Sequence, residues 1–330
     1  MTTMTQLRYR EAVRAAMIEE MERDPLVYLV GEEVGHYQGA YKVSEGMLER
    51  FGPKRVLDAP ITESGFTGIS IGAAMVGLRP IVEYMTWNFS AVAFDQIINN
   101  AAKLRQMSGG QLQVPIVLRA PNGSARQVGS QHSHSMEHFY AHVPGLKVLA
   151  PATPADAKGL LKTAIRDDNP VLFMESETLY NVKGEVSDDP DLLVPMGLAS
   201  VARPGKDVSI IAWSRMVHVA LDAAEKLTKD GIDAEVIDLR SLRPLDQDTI
   251  LASVAKTHRA VVAHEGWSYG GVGAEIVDRI QRLAFDELDA PVLRATTLDF
   301  PMPYNATLEQ HVIPQASRII EQVRAVLYRS

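Results

Sequence analysis

The sequence predicts an α/β protein of two doubly wound domains, on length, on periodicity and on a single break in that periodicity. At 330 residues and 36.2 kDa the chain is long enough for two cores of roughly 150 residues each. Segments with helical hydrophobic spacing alternate with short runs rich in Val, Ile and Leu, the pattern of a mostly parallel sheet covered by helices. The alternation stops only between residues 181 and 195, where Lys183-Gly184-Glu185 and Asp188-Asp189-Pro190-Asp191 are polar and read as a linker. The expected domains are therefore 1–180 and 196–330.

In chain order, a helix over 6–23 should lead into a strand at 27–30, and a helix over 63–78 into a strand at 80–84. A helical stretch over 89–107 then precedes a strand at 115–118. A strand at 147–149 and a helix over 155–166 follow, before a strand at 171–174. Beyond the linker, strands are expected at 208–213, 234–239, 260–263 and 292–295, with helices between them and a closing helix at 313–327.

Composition removes several functions. Hydrophobic residues make up 46% and charged residues 22%, which excludes a disordered or fibrous chain. The 33 Lys and Arg against 41 Asp and Glu give a net charge of −8 spread along the chain, so no nucleic-acid partner is expected. The lack of cysteine rules out disulfides, thiolate nucleophiles and Cys-ligated metals, and fits a reducing compartment. Residues 1–10 lack an apolar secretory core. The longest nearly apolar stretch, 68–78, is far below the roughly 18–20 residues that span a bilayer, so a cytoplasmic chain with no membrane contact is expected.

Four places could carry chemistry. Glu63 stands in Pro60-Ile61-Thr62-Glu63-Ser64-Gly65-Phe66 at the start of a helix containing Gly65, Gly68, Gly72, Ala73 and Ala74, whose small side chains admit another backbone or a ligand. It is either a dipole-stabilised N-terminal carboxylate or a desolvated carboxyl able to exchange a proton near neutral pH. His132, His134, His138 and His142 crowd one segment. No His-Glu-x-x-His pattern accompanies them, so exposed histidines, or an acid–base role for His132, compete with metal ligation. Gly270-Gly271-Val272-Gly273-Ala274-Glu275 fits a tight strand-to-helix turn better than a dinucleotide fingerprint. Ala164-Ile165-Arg166-Asp167-Asp168-Asn169 ends a helix with free carbonyls and carboxylates, either as a plain helix end or as oxygen ligands for a hard cation.

Read together, Pro60–Phe66, Met85-Thr86-Trp87-Asn88-Phe89, Phe94-Asp95-Gln96-Ile97-Ile98-Asn99, Met107-Ser108-Gly109-Gly110, Arg119-Ala120-Pro121-Asn122-Gly123 and Gln131-His132-Ser133 resemble one family. It is the beta subunit of the thiamine-diphosphate-dependent decarboxylase component of 2-oxo acid dehydrogenase complexes, nearest the pyruvate dehydrogenase type. Leu242-Arg243-Pro244-Leu245-Asp246, His264-Glu265-Gly266 and Pro301-Met302-Pro303-Tyr304 carry the resemblance to the C-terminal end of the chain.

The resemblance implies a doubly wound domain that binds the cofactor's pyrimidine, followed by a transketolase C-terminal-like α/β domain. It implies oxidative decarboxylation of pyruvate and acetyl transfer to lipoamide. Glu63 would hydrogen-bond the pyrimidine ring nitrogen and govern the proton taken from the thiazolium carbon, a role that calls for burial to raise its pKa. Phe89 would stack on the pyrimidine with Met85 beside it, and His132 would stabilise the substrate adduct or aid acyl transfer. Ile116, Ala164, Ile165, Asp167 and Asn169 match a structural potassium site, and Asp289 a docking residue for the acyltransferase. The diphosphate and its magnesium would be held by an alpha subunit through a Gly-Asp-Gly motif, which is absent here. The implied partners are that alpha subunit in a heterotetramer, a second beta subunit, and the dihydrolipoyl acyltransferase core with its lipoyl domain. Acetoin or branched-chain 2-oxo acids are the alternative substrates; a non-catalytic scaffold subunit is the reading from a different class.

Overall fold

The computed structural model describes residues 3–329; Met1, Thr2 and Ser330, the ends of the two expected domains, lie outside the described residues. The chain divides into two compact units. One runs to Asn122 and resumes over Phe139–Met196; the other takes Gly123–His138 together with the chain from Gly197 onward. The segment 123–138, inside the expected first domain, thus clusters with the second unit.

In the first unit, strands β1 (Met4–Arg8), β2 (Val27–Gly31), β3 (Val56–Asp58), β4 (Arg79–Glu83), β5 (Val117–Pro121), β6 (Lys147–Leu149), β7 (Val171–Glu175) and β8 (Lys183–Ser187) alternate with helices α1 (Tyr9–Arg23), α2 (Met47–Phe51), α3 (Glu63–Met75), α4 (Leu104–Met107) and α6 (Pro154–Arg166); the short α5 (Glu137–Ala141) has its first two residues in the second unit and the rest in the first. Six of the strands form a parallel sheet in the order β6-β7-β5-β4-β2-β3. After β2 the chain steps outward to β3 and then returns to place β4 on the other side of β2. The carboxyl ends of β2 and β4 therefore flank the crevice where open α/β sheets bind ligands. Tyr9, Val13, Met17 and Met21 of α1 and Leu160, Leu161 and Ile165 of α6 are fully buried beside Leu29, Val171 and Phe173 of the sheet. Thr153 caps α6, accepting the Asp156 N–H at 3.1 Å, and Pro154 occupies the first helical position, where its missing N–H costs nothing.

Three expectations change in this unit. Residues 6–8 are strand rather than helix because β1 pairs antiparallel with β8, Met4 opposite Ser187 and Arg8 opposite Lys183. The same pairing turns part of the expected linker into β8, since ladder hydrogen bonds outweigh weak local preference. The stretch 89–107 is broken into a 3-10 turn at Trp87–Ala91, a π turn at Gln96–Ala101 and α4. The Ser90 hydroxyl bonds the Trp87 carbonyl at 2.6 Å and the Tyr140 hydroxyl at 2.6 Å, competing with regular helical bonding.

The second unit holds β9 (Ser200–Arg203), β10 (Val208–Ala212), β11 (Ala234–Asp238), β12 (Ser241–Arg243), β13 (Ala260–Trp267) and β14 (Leu293–Thr297), with α7 (Arg215–Thr228), α8 (Gln247–Thr257), α9 (Gly271–Leu283), α10 (Ala306–Val312) and α11 (Ala316–Val326). Its sheet runs β14-β13-β10-β11-β9, parallel except for the antiparallel edge strand β9. The glycine turn before α9 is a packing device: a Cβ on Gly273 would overlap the His264 ring, which stacks on Trp213 at 5.2 Å and 9°. Burial, followed by the charge of Arg294, lowers the His264 pKa to about 3, so the ring is neutral.

Candidate functional site

Glu63 opens α3 directly beyond β3, and only 7% of it is exposed. The carboxylate facing it was not anticipated. Glu32 follows the last residue of β2 and is 4% exposed, and its carboxyl interacts with that of Glu63. Burial first, and the neighbouring Glu63 charge second, push Glu32 up to about 7. Glu32 therefore keeps its proton well above the usual carboxylate range. Glu32 Oε1 is buried with no hydrogen-bond partner among the described residues. A buried orphan acceptor of this kind is costly unless a ligand group completes it.

The backbone explains why the pair can form. Gly31 lies opposite Glu83 of β4 and Asp58 of β3, and a Cβ there would overlap the Glu83 carbonyl. Glycine lets the strands close up at the point where β2 releases Glu32.

Behind the crevice lies an aromatic and ionic foundation. The Tyr84 hydroxyl bonds Thr67 at 2.7 Å, and ring contacts run from Phe66 through Tyr84 and Trp87 to Tyr140 at 5.4–5.7 Å. Arg119, fully buried on β5, pairs with Glu83 and binds Glu175 through two nitrogens at 2.6 and 2.7 Å; Tyr180 donates to Glu175 at 2.9 Å. Met85 follows β4, and Phe89 lies in the turn capped by Thr86; both are half-buried. The expected contacts Glu63, Met85 and Phe89 all sit at carboxyl ends of the sheet.

Profiles of two families cover most of the chain: "Transketolase, pyrimidine binding domain" over residues 5–183, and "Transketolase, C-terminal domain" over 197–319. The chain is 56% identical over 324 residues to the pyruvate dehydrogenase E1 component subunit beta-1, mitochondrial, of Oryza sativa subsp. japonica, covering 97% of this chain and 87% of that protein. It belongs to the pyruvate dehydrogenase E1 beta-subunit family. The E1 beta subunit of Rickettsia felis is 54% identical, with 98% of this chain and 99% of that protein covered. A solved structure titled "Split gene transketolase, inactive beta4 tetramer" superposes with a TM-score of 0.80 at 24% identity over 98% of each chain, a likeness of fold.

The remaining residues that the E1 beta resemblance singled out lie elsewhere. His132 is half-buried in the 123–138 segment of the second unit. Only His138 of the other three clustered histidines falls in α5. His134 and His138 meet the Trp267 ring edge-on at 5.5 and 6.5 Å, and burial with the nearby His138 and His132 lowers the His134 pKa. Among the described residues no group of three or more His, Asp or Glu is arranged to hold a metal.

At the expected cation site, the Ile116 carbonyl accepts from Val171 N at 2.9 Å and the Ala164 carbonyl from Asp167 N at 3.2 Å. Arg79 donates to the carbonyls of Ile165 (2.9 Å) and Asp167 (2.7 Å), and Arg105 bonds the Asn169 side chain. Burial acts to raise the Asp167 pKa, but Lys147 and Asn169 hold it below the usual carboxylate range. The donors are all oxygen and include an ionised carboxylate, and each carbonyl keeps a second lone pair, the chemistry a hard cation needs. Asp289, half exposed, pairs with Arg259 at 2.9 Å. No helix among the described residues is long and apolar enough to cross a membrane.

Glu32 is the residue that sequence reading missed. Its signal was the strand-end pair Gly31-Glu32 in the same unit as Gly65–Gly72, but nothing in spacing links residue 32 to residue 63.

Proposed function

We propose that this chain is the beta half of a thiamine-diphosphate-dependent pyruvate dehydrogenase, decarboxylating pyruvate and delivering the acetyl group to the lipoyl domain of an acyltransferase. The observation that carries the reading is the buried Glu32–Glu63 pair with its orphan oxygen at the sheet crevice. Thiamine diphosphate, when bound, supplies the electron sink for loss of carbon dioxide. Glu63 would hold the proton at the pyrimidine ring nitrogen, with the raised, proton-retaining carboxyl of Glu32 beside it. Phe89 and Met85 give the pyrimidine an apolar seat. Arg119, Glu83 and Glu175 stiffen the strand ends beneath it. His132 would aid the substrate's decarboxylation or the acyl transfer.

The chain lacks the Gly-Asp-Gly motif for magnesium and diphosphate, which fits an alpha subunit holding both in a heterotetramer with two beta subunits. The exposed side of α3, with Gly65, Ile69 and Gly72, suits close approach by another subunit. Ile116, Ala164, Ile165, Asp167 and Asn169 hold a bracing potassium ion, and Asp289 contributes to docking of the acyltransferase core. Residues 1–180 act as the pyrimidine-binding domain and 196–330 as the C-terminal domain, in the cytoplasm.

The test is carbon dioxide release from pyruvate by the chain alone, by the chain co-expressed with its alpha partner, and by the pair carrying Glu63→Gln. Activity only in the unsubstituted pair is expected; near-normal turnover of Glu63→Gln overturns the assignment. Parallel assays with 3-methyl-2-oxobutanoate and acetoin separate the alternative substrates.

A further inference from the structure

The second unit holds the segment that carries His132 by a series of directed contacts. The Ser124 hydroxyl donates to Glu265 at 2.8 Å, and Arg215 pairs with the same carboxylate at 3.1 Å. Gln127, in the left-handed region at φ +55°, gives its backbone N–H to both oxygens of Glu309 at 3.0 and 3.2 Å. Ser130 donates to the Met302 carbonyl at 2.9 Å, and Met302 packs into a buried cluster with Val312 and Ile313 of the α10 region. Within the segment, Ser133 donates to the Gly129 carbonyl at 2.7 Å. At the far end, Trp213 donates to Glu137 at 3.3 Å.

Glu309 is the contact hardest to account for by stability alone. It is 2% exposed on a helix of seven residues, and its carboxylate spends both oxygens on one backbone N–H of a distant segment. Burying a carboxylate is expensive, and a non-glycine residue at positive φ is strained. Those two costs meet at one hydrogen bond, five residues before His132. An unlatched Gln127 would relax to negative φ and redirect the chain leading to the imidazole.

We propose that Glu309 is a positioning residue for His132: the C-terminal domain latches the 123–138 segment through Gln127 and so sets where the imidazole is presented. The proposal rests on the reading that His132 serves the reaction. A misplaced catalytic group typically costs one to two orders of magnitude in rate. Glu309→Ala should therefore lower the His132-dependent step roughly tenfold to a hundredfold, and Glu309→Gln, which keeps one acceptor oxygen, should lower it less.

The decisive experiment is a double-mutant cycle in the assembled enzyme with Glu309→Ala, His132→Ala and both together, assayed for decarboxylation with an artificial electron acceptor and for acetylation of a lipoyl domain. Hydrogen exchange across residues 123–138 is followed on the same proteins. Acting through His132, Glu309→Ala should add little to the loss already caused by His132→Ala, and exchange should quicken at Gln127 and its neighbours while the sheet cores keep their protection. Losses that multiply in the double variant overturn the proposal, since they would mean that Glu309 acts independently of His132. If His132→Ala leaves both activities intact, the reading of His132 fails, and unchanged exchange at 123–138 in Glu309→Ala shows separately that the latch does not exist. Should Glu309→Ala fail to assemble, Glu309→Gln carries the same cycle, with rate and exchange read in the same way.

Discussion

Replacing Glu32 with Gln should stabilise the first unit, and only above mildly acidic pH. In the folded chain the Glu32 carboxyl rises from its ordinary 4.5 to about 7, because it is buried and because Glu63 lies against it. A carboxyl raised on folding contributes stability that is fully present below 4.5 and is lost as pH climbs through 7. That rise corresponds to roughly 3 kcal/mol at most, and to about 1–2 kcal/mol once water and relaxation screen the pair. Gln has the same shape, carries no charge and can donate to the Glu63 carboxylate. The assay is urea denaturation at fixed protein concentration from about pH 5 to about pH 8, followed by tryptophan fluorescence, with fully buried Trp87 reporting on this unit. The unfolding midpoints of the two proteins should agree near pH 5 and separate in favour of Glu32→Gln by pH 8. Parallel midpoints across the range would refute the raised Glu32 carboxyl. The same substitution should slow pyruvate decarboxylation, because stability gained by removing a buried charge is lost to function.

Other outcomes follow from the same structure. Arg119→Met leaves Glu83 and Glu175 buried without their partner and should cost about 3–5 kcal/mol, read as a lower unfolding midpoint; a midpoint within error of the parent would remove the triad as foundation of the crevice. His264 is neutral when folded and charges near 6.5 when unfolded, so the second unit should lose roughly 3 kcal/mol between about pH 6.5 and about pH 4. His264→Phe should flatten that acid limb, and an unchanged limb would place the sensitivity elsewhere. Gly273→Ala forces a methyl into the His264 ring and should cost about 1–3 kcal/mol by calorimetry. Asp167→Ala should abolish any rise in melting temperature that potassium chloride produces over sodium chloride, and persistence of that difference would move the cation away from this helix end.

The alternation of helix-period and β-branched segments pointed to two α/β units and to nine of the fourteen described strands, because in a parallel sheet buried on two faces the hydrophobic run itself is the strand. The Gly273 turn was also readable, since a glycine-rich strand-to-helix junction is a local packing requirement. Family motifs pointed to Glu63, Met85, Phe89 and His132, but a motif names a residue without naming what faces it. Residues 4–8 and 183–187 became strands only by pairing with each other across the unit, which no local window contains. Glu32 and Glu63 lie on separate crossovers, and only the order β4-β2-β3 brings their carboxyls together; the rise of Glu32 to about 7 comes from its burial and from that neighbour. Likewise, periodicity and the pyrimidine-binding family match place residues 123–138 in the first domain's stretch of sequence, while hydrogen bonds to Glu265 and Glu309 tie them into the second compact unit. Propensity and hydrophobic period act over a few neighbouring residues and suffice to choose elements and fold class. Carboxyl–carboxyl contact, charge burial and latching act between groups distant in sequence, so they exist only once the chain has folded.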